Sequence, residues 1–297
     1  MRLLIANSSA LAATIMWGAA VVATRVVVQD IPPITLAVLR FGQGALLLLL
    51  ALLLIAPALL RVQRRDLPML LATGVVMFTS FSWLFNTGLQ LTEAARGALM
   101  LATAPLWSAM LARMLGSERL TGRQIVGVLL SIGGIAATVI ERGLTFAGGW
   151  QPLLGDALLL LSAFCIAGYG LLARRLLRTY KPITVLAYAM FLGSLLLVPV
   201  MFTEDVGAAL ARLTDPRLVA LLIFLGAFGG ALSHFLWTRA LAVLPVTQVV
   251  VYINVNPLSA AVLSALLLGE QLSLVFVLGF AAVIAGVLLV NTDREKA

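Results

Sequence analysis

The sequence predicts an all-α integral membrane protein: ten transmembrane helices as two inverted-topology five-helix repeats (5+5) around a central cavity. Three observations predict it: an apolar composition, a series of long uncharged windows and an internal repeat. Of 297 residues, 62% are hydrophobic and 11% charged, with a mean hydropathy of +1.10, whereas soluble domains are roughly 45–50% apolar. Water cannot be the solvent for most of such a surface, and bilayer hydrocarbon can.

A helix needs about 20 residues to cross about 30 Å of hydrocarbon, and Pro, Gly and charge clusters divide the chain into ten such segments. The first, Leu3–Val28, carries Trp17 and closes on Arg25; the second, Ile34–Ala56, carries Arg40. The third, Leu67–Gln90, contains Phe78. Met100, Thr103, Pro105 and Trp107 lie in the fourth, Ala94–Leu115, and Glu118 follows it. The fifth is Thr121–Ile140, and the sixth, Leu153–Leu176, holds Tyr169 and the one cysteine, Cys165. Pro182–Thr203 is the seventh, and Arg217–Leu241, the eighth, contains the only histidine, His234. The ninth, Val246–Leu268, carries Gln248, Tyr252, Asn256 and Pro257, with Glu270 beyond it; Leu272–Asn291 is the tenth. An apolar stretch that runs on to Thr24 is too long for a cleaved leader.

The net charge of +8 reads as topology. Most of the basic residues, among them Arg61, Arg64, Arg65, Arg174, Arg175, Arg178 and Lys181, fall in the terminal and even-numbered connections. That excess places both termini in the cytoplasm. It also removes the case for nucleic-acid binding. One cysteine allows no intramolecular disulfide and no thiolate metal cluster.

Sliding the sequence on itself by 152 residues brings Pro105 onto Pro257, Glu118 onto Glu270, Gly127 onto Gly279 and Gly134 onto Gly286. Gly74 meets Gly226, and Trp17-Gly18 meets Tyr169-Gly170, at the same offset. With five spans per repeat, an odd number, the second copy must enter the membrane inverted, an architecture of secondary transporters with a midplane solute site.

Pro105 and Pro257, near the centres of spans 4 and 9, each remove an N–H donor and clash with the carbonyl four residues back, at Leu101 and Ile253. A freed carbonyl at that depth requires packed protein or a water-lined cavity, so the prolines either border a translocation path or simply bend their helices. Gln248, Tyr252 and Asn256, at i, i+4 and i+8, share one helical face with Ser259 nearby. Lipid penalises that face. Turned inward, it can bind the carboxylate and ammonium of a zwitterion or hydrogen-bond a neighbouring helix. Trp17, Phe78, Trp107, Tyr169 and Phe228 lie near span centres instead of the interfacial belts, where they can wall a cavity or pack a core. Met100, Thr103 and Trp107 share a face of span 4. His234 is the one mid-membrane group that titrates near neutrality, and it is either functional or hydrogen-bonded across helices. No Asp or Glu lies mid-span, so any proton coupling would work through His234 or a residue near an interface. Arg25 and Arg40 can snorkel to the interface.

The segments WGAAVVATR, IPPITLAVLRF, APLWSAML…LGSERLTGRQIVGVLLSIGG and NPLSAAVL…LGEQLS…GFAAVIAGVLL resemble EamA-type members of the drug/metabolite transporter superfamily over nearly the whole chain. Within it they are most similar to the bacterial inner-membrane amino-acid exporters, including the aromatic amino-acid group called YddG. The resemblance implies EamA-like repeats at 3–140 and 153–291. It further implies export of aromatic and other neutral amino acids, with broad specificity, by alternating access at a cavity lined by spans 1, 3, 4, 6, 8 and 9. The same motifs fit exporters of another small metabolite, nucleobase or drug. The implied partners are a small amphipathic solute and the lipid bilayer, with no nucleic acid, no cofactor, no metal and a monomeric chain. Arg40 matches the arginine of the family's proline-to-arginine motif. Glu118 and Glu270 match family glutamates, placed to accept hydrogen bonds from the N–H groups that open spans 5 and 10.

Other classes fit less well. No mid-span Ser/His/Asp set supports an intramembrane enzyme. Gly168-Tyr169-Gly170 lacks the Thr-Val of a potassium filter, and neither Lys181 nor Lys296 follows a Walker-type loop.

Overall fold

The computed structural model describes residues 2–114, 122–141, 150–269 and 273–292, and among them every regular element is helical. The first half comprises α1 (Arg2–Val27), α2 (Pro33–Ile55), α3 (Leu67–Gly74), a π-helical segment (Val75–Ser80), α4 (Phe81–Leu91), α5 (Ala94–Leu101), α6 (Ala104–Met114) and α7 (Gly122–Glu141). The second comprises α8 (Gln151–Leu176), α9 (Pro182–Met201), a short α10 (Val206–Ala211), α11 (Pro216–Gly226), a π-helical segment (Ala227–Leu232), α12 (Ser233–Leu241), α13 (Val246–Val251), α14 (Val255–Leu268) and α15 (Leu274–Thr292).

Among the described residues, six uninterrupted helical stretches are long and apolar enough to cross a bilayer: Arg2–Val27, Pro33–Ile55, Arg64–Leu91, Gln151–Leu176, Pro182–Met201 and Pro216–Leu241. They match the expected spans 1, 2, 3, 6, 7 and 8 to within a few residues. Large apolar side chains point outward along them, such as Leu46, Leu50, Leu54 and Ile55 on α2, a surface suited to lipid contact.

Spans 4 and 9, expected as single helices, are both broken. The chain turns at Ala102 and Thr103 between α5 and α6, and tightens to a 3₁₀ turn over Tyr252–Asn254 between α13 and α14. Each break lies just before Pro105 or Pro257, whose ring excludes the regular carbonyl–amide ladder. At the first break the Thr103 carbonyl accepts from the Leu106 and Trp107 amides, at 2.9 and 3.3 Å.

The two halves repeat in detail. The π-helical segments start and end 152 residues apart, and each follows one of the aligned glycines, Gly74 or Gly226. Packing exchanges between the halves: α4 lies on α8 as α12 lies on α1, α6 on α8 as α14 on α1, and α3 on α9 as α11 on α2. The α2–α9 and α7–α15 pairs close the arrangement. Glycine permits a close crossing of α3 and α9, where a Cβ on Gly193 would run into the Gly74 carbonyl oxygen and lie 2.7 Å from the Phe78 Cβ.

Side chains tie the connections into two distinct ends. At one, Tyr188 Oη donates to the Leu60 carbonyl at 2.7 Å, Thr184 Oγ1 to Leu59 at 3.0 Å, and Tyr180 bonds the Asp66 carboxylate and the Gln63 amide. The hydrogen bond to Asp66 raises the Tyr180 pKa above the ordinary phenol value. Exposed Arg61, Arg64, Arg65, Arg174, Arg175, Arg178 and Lys181 gather at this end. At the other, Glu204 caps α2 from outside it, accepting from the Ile34 and Thr35 amides at 3.0 and 2.7 Å and the Thr35 hydroxyl at 2.8 Å. A carboxylate at a helix N-terminus satisfies orphan donors and complements the dipole. Arg25 does not snorkel freely: it donates to the Leu89 and Gln90 carbonyls at 2.8 and 3.1 Å.

Gly193→Ala is expected to destabilise the fold by about 1–3 kcal/mol through overpacking, whereas Gly42→Ala, with nothing within 4 Å of the new methyl, is neutral or slightly stabilising. Thermal unfolding in detergent measures both, and equal midpoints would contradict the close α3–α9 crossing.

Candidate functional site

The site grows from the π-helical segment at Ala227–Leu232. A π turn displaces carbonyls from the regular α ladder, and here polar side chains meet them. The Gly229 carbonyl accepts from Arg40 Nη2 at 3.1 Å and Ser233 Oγ at 2.9 Å, and the Gly230 carbonyl lies 2.8 Å from His234 Nδ1. Glycine at 229 allows the approach: a Cβ there would sit 3.0 Å from the Ala20 Cβ and 3.6 Å from Arg40 Nη2. Arg40 also donates through Nη1 to Thr24 Oγ1 at 3.2 Å, and its guanidinium carbon lies 4.8 Å from the Phe41 ring centroid.

The bond to Gly230 fixes the His234 tautomer, because a carbonyl can only accept. The proton is on Nδ1. Trp17 Nε1 lies 3.4 Å from that same nitrogen, which cannot accept while it donates, so the shorter carbonyl bond decides and Trp17 is a packing neighbour. His234 Nε2 is then a bare lone pair. Aromatic rings surround the imidazole, with Trp17 at 4.9 Å, Phe78 at 5.4 Å and Phe41 at 5.6 Å between centroids, and Trp237 lies 4.9 Å from Trp17.

Beside this cluster lies a cavity of about 20 Å³, room for about one water. Its apolar wall includes Trp17, Met77, Phe81, Phe85 and Ile166, together with Leu101 and Ile253, the residues four positions before the two prolines. Its polar lining is Arg40, His234 and Asn256, which are 3%, 1% and 2% exposed. Each has one buried polar atom without a hydrogen-bond partner among the described residues: Arg40 Nε, His234 Nε2 and Asn256 Oδ1.

Of the residues singled out from the sequence, Trp17, Arg40, His234 and Asn256 meet at this cavity, with Phe78 packed behind His234. Tyr169 is buried one layer back, its hydroxyl 2.8 Å from Thr238 Oγ1 and its ring 6.1 Å from Phe78. Met100, Thr103 and Trp107 serve one another instead: Thr103 Oγ1 donates to the Met100 carbonyl at 2.7 Å and accepts from Trp107 Nε1 at 3.1 Å, while Trp107 rests on Phe164. Of the span 9 stripe only Asn256 lines the cavity: Gln248 is exposed and Tyr252 donates to Asn7 Oδ1 at 2.8 Å. Phe228 also departs from expectation, being exposed and stacked on Phe224. Pro105 and Pro257 are buried. Glu118 and Glu270 lie outside the described residues.

Sequence reasoning did not single out Phe41, Met77, Phe81, Phe85, Ile166 or Trp237. Phe81 and Phe85, one turn apart, and Trp237, three residues after His234, share faces that helical spacing could have disclosed. The π turn that gathers Arg40 and His234 left no comparable signal.

A family profile for the EamA-like transporters matches residues 4–140 and 153–292. The chain belongs to the EamA-like transporter family. It is a membrane transporter of the drug/metabolite transporter superfamily. This transporter is 31% identical over 232 residues to a probable terminal-alkyne amino-acid exporter of Streptantibioticus cattleyicolor, covering 78% of this chain and 75% of that one. It is 27% identical to an uncharacterized transporter of Archaeoglobus fulgidus over 94% of this chain and 95% of that one. Similarity to the uncharacterized transporter YyaM of Bacillus subtilis is 24% identity over 86% and 83% of the two chains. A solved crystal structure superposes with a TM-score of 0.71 at 17% identity over 98% of both chains, which shows a shared fold.

In this transporter Tyr169 supports the site from behind. Tyr169→Phe strands the Thr238 hydroxyl and is expected to cost about 1–3 kcal/mol of stability, whereas Tyr169→Phe with Thr238→Val removes both partners and recovers most of it. A double-mutant cycle by thermal unfolding measures this. Strictly additive losses would mean the pair contributes nothing as a pair.

Proposed function

We propose that the transporter exports amino acids, aromatic and other neutral ones, across the bacterial inner membrane by alternating access. One observation carries the reading: an otherwise apolar cavity between the two halves is lined by three buried polar residues, Arg40, His234 and Asn256, each with a polar atom that has no hydrogen-bond partner among the described residues. Solute sites combine mostly apolar walls with a few polar groups that fix orientation. The likeness to a probable amino-acid exporter at 31% identity supports the same solute class.

The proposed machine consists of ten spans in two inverted repeats, 3–140 and 153–291, with both termini cytoplasmic. Support for that orientation comes from the basic residues gathered at one end, which the positive-inside rule assigns to the cytoplasm. Trp17, His234 and Asn256 form the binding surface, with Phe78 packed behind His234. The broken helices at Pro105 and Pro257 are its moving walls. At about 20 Å³ the cavity is closed down around less than an amino acid, so the walls part to load and release.

Proteoliposomes loaded with unlabelled phenylalanine, threonine or methionine should accumulate the labelled amino acid by counterflow. Ile166→Trp, which fills the cavity, should abolish the signal, and Asn256→Leu should lower it about tenfold or more, the loss of one or two hydrogen bonds to a charged group. Counterflow no faster than in empty liposomes, alongside movement of a nucleobase or drug, would replace the amino acid with that solute.

A further inference from the structure

Arg40 is a buried cation, and among the described residues no carboxylate pairs with it. Its hydrogen-bond partners, Thr24 Oγ1 and the Gly229 carbonyl, are neutral dipoles. They orient the guanidinium without cancelling its charge. An ion pair, Arg212 with Asp30 at 3.9 Å, lies at an end of the molecule. An ionised side chain inside a membrane protein is costly unless a counter-charge or a water-filled cavity relieves it, and a cavity of about 20 Å³ has room for about one water.

The remaining polar groups have the opposite character. Arg40 Nε–H can only donate, whereas His234 Nε2 and Asn256 Oδ1 can only accept. Arg40 and His234 hold adjacent carbonyls of one π turn, Gly229 and Gly230, so their relative placement is fixed before any solute arrives. Asn256 lines the cavity from α14. A cation with a free donor and two free acceptors, all buried, complements an anion and an ammonium carried by one small molecule.

We infer that the cavity reads the solute's carboxylate: Arg40 binds the carboxylate of an α-amino acid, and His234 Nε2 with Asn256 Oδ1 receives its ammonium. This rests on the amino-acid reading above and sharpens it into a charge requirement. Zwitterions enter with their own counter-charge for Arg40. Amides, esters and decarboxylated amines leave the guanidinium unpaired, and amines add a second positive charge beside it.

Competition against labelled phenylalanine counterflow tests this in wild-type proteoliposomes. Phenylalaninamide and 2-phenylethylamine should inhibit only at concentrations about 10- to 100-fold above those of phenylalanine, the factor for one charge-assisted hydrogen bond. 3-Phenylpropionate, which keeps the carboxylate and lacks the ammonium, should compete better than either. Arg40→Lys should retain the order with weaker inhibition, because a point charge replaces the planar fork, and Arg40→Gln should flatten it. If the amide and amine compete with wild type as well as phenylalanine does, the carboxylate assignment is wrong while amino-acid transport stands. Absence of any phenylalanine counterflow removes the parent reading instead. The wild-type panel decides even if Arg40→Gln fails to fold.

Discussion

Hydrocarbon offers a backbone no hydrogen bonds, so a chain that crosses it must satisfy its own amides and carbonyls. That constraint makes the molecule helical and gives each departure from regular helix a meaning. Two π-helical segments and two broken helices interrupt the spans. At the second π segment the Gly229 and Gly230 carbonyls hold Arg40, Ser233 and His234. At the breaks, the residues four positions before each proline face the cavity. The irregular backbone and the polar site are therefore one arrangement, since the carbonyls that the π turn displaces are the groups that position the side chains.

The scaffold repeats and the site does not. At the 152-residue offset Arg40 corresponds to Leu192, His234 to Ser82 and Asn256 to Ala104. The helices and their kinks come in pairs, as do Gly74 and Gly226, but each polar group at the cavity has an apolar or smaller counterpart. A two-fold scaffold supplies two equivalent packings of the same parts, which suits a carrier alternating between faces. A solute with distinct ends, by contrast, needs one asymmetric set of contacts. Duplicated architecture with a single polar set meets both requirements.

Much of this was legible in the sequence, because length, apolarity and proline are local properties. Pro105 and Pro257 announced the breaks, and Trp17, His234 and Asn256 stood out as polar or amphipathic groups far from the ends. An unbroken helix puts Gln248, Tyr252 and Asn256 on one face, but the segment before Pro257 tightens to a 3₁₀ turn at Tyr252–Asn254, and Gln248 is exposed while Asn256 is buried. Tyr169, Met100, Thr103 and Trp107 have the right depth, but their partners are other side chains, a matter of rotation that depth does not determine. The π turns were invisible because no residue type requires one. Gly74 and Gly226 mark their starts only once the structure shows that the neighbouring helix comes too close there for a side chain.

Arg40 shows how far burial can be misread from sequence. In span 2 a lone arginine has an inexpensive explanation, a long side chain reaching for the interface. The structure removes it: the guanidinium turns inward, stays 3% exposed and is held by the neutral Thr24 hydroxyl and Gly229 carbonyl. Stability alone would favour an apolar residue there, since replacing buried ionic groups with well-packed hydrophobic ones is often neutral or stabilising. A chain otherwise economical with charge, at 11%, places this one beside a cavity where two acceptors also lack partners. The groups are mutually unsatisfied in the closed protein, and a single zwitterion would satisfy all three.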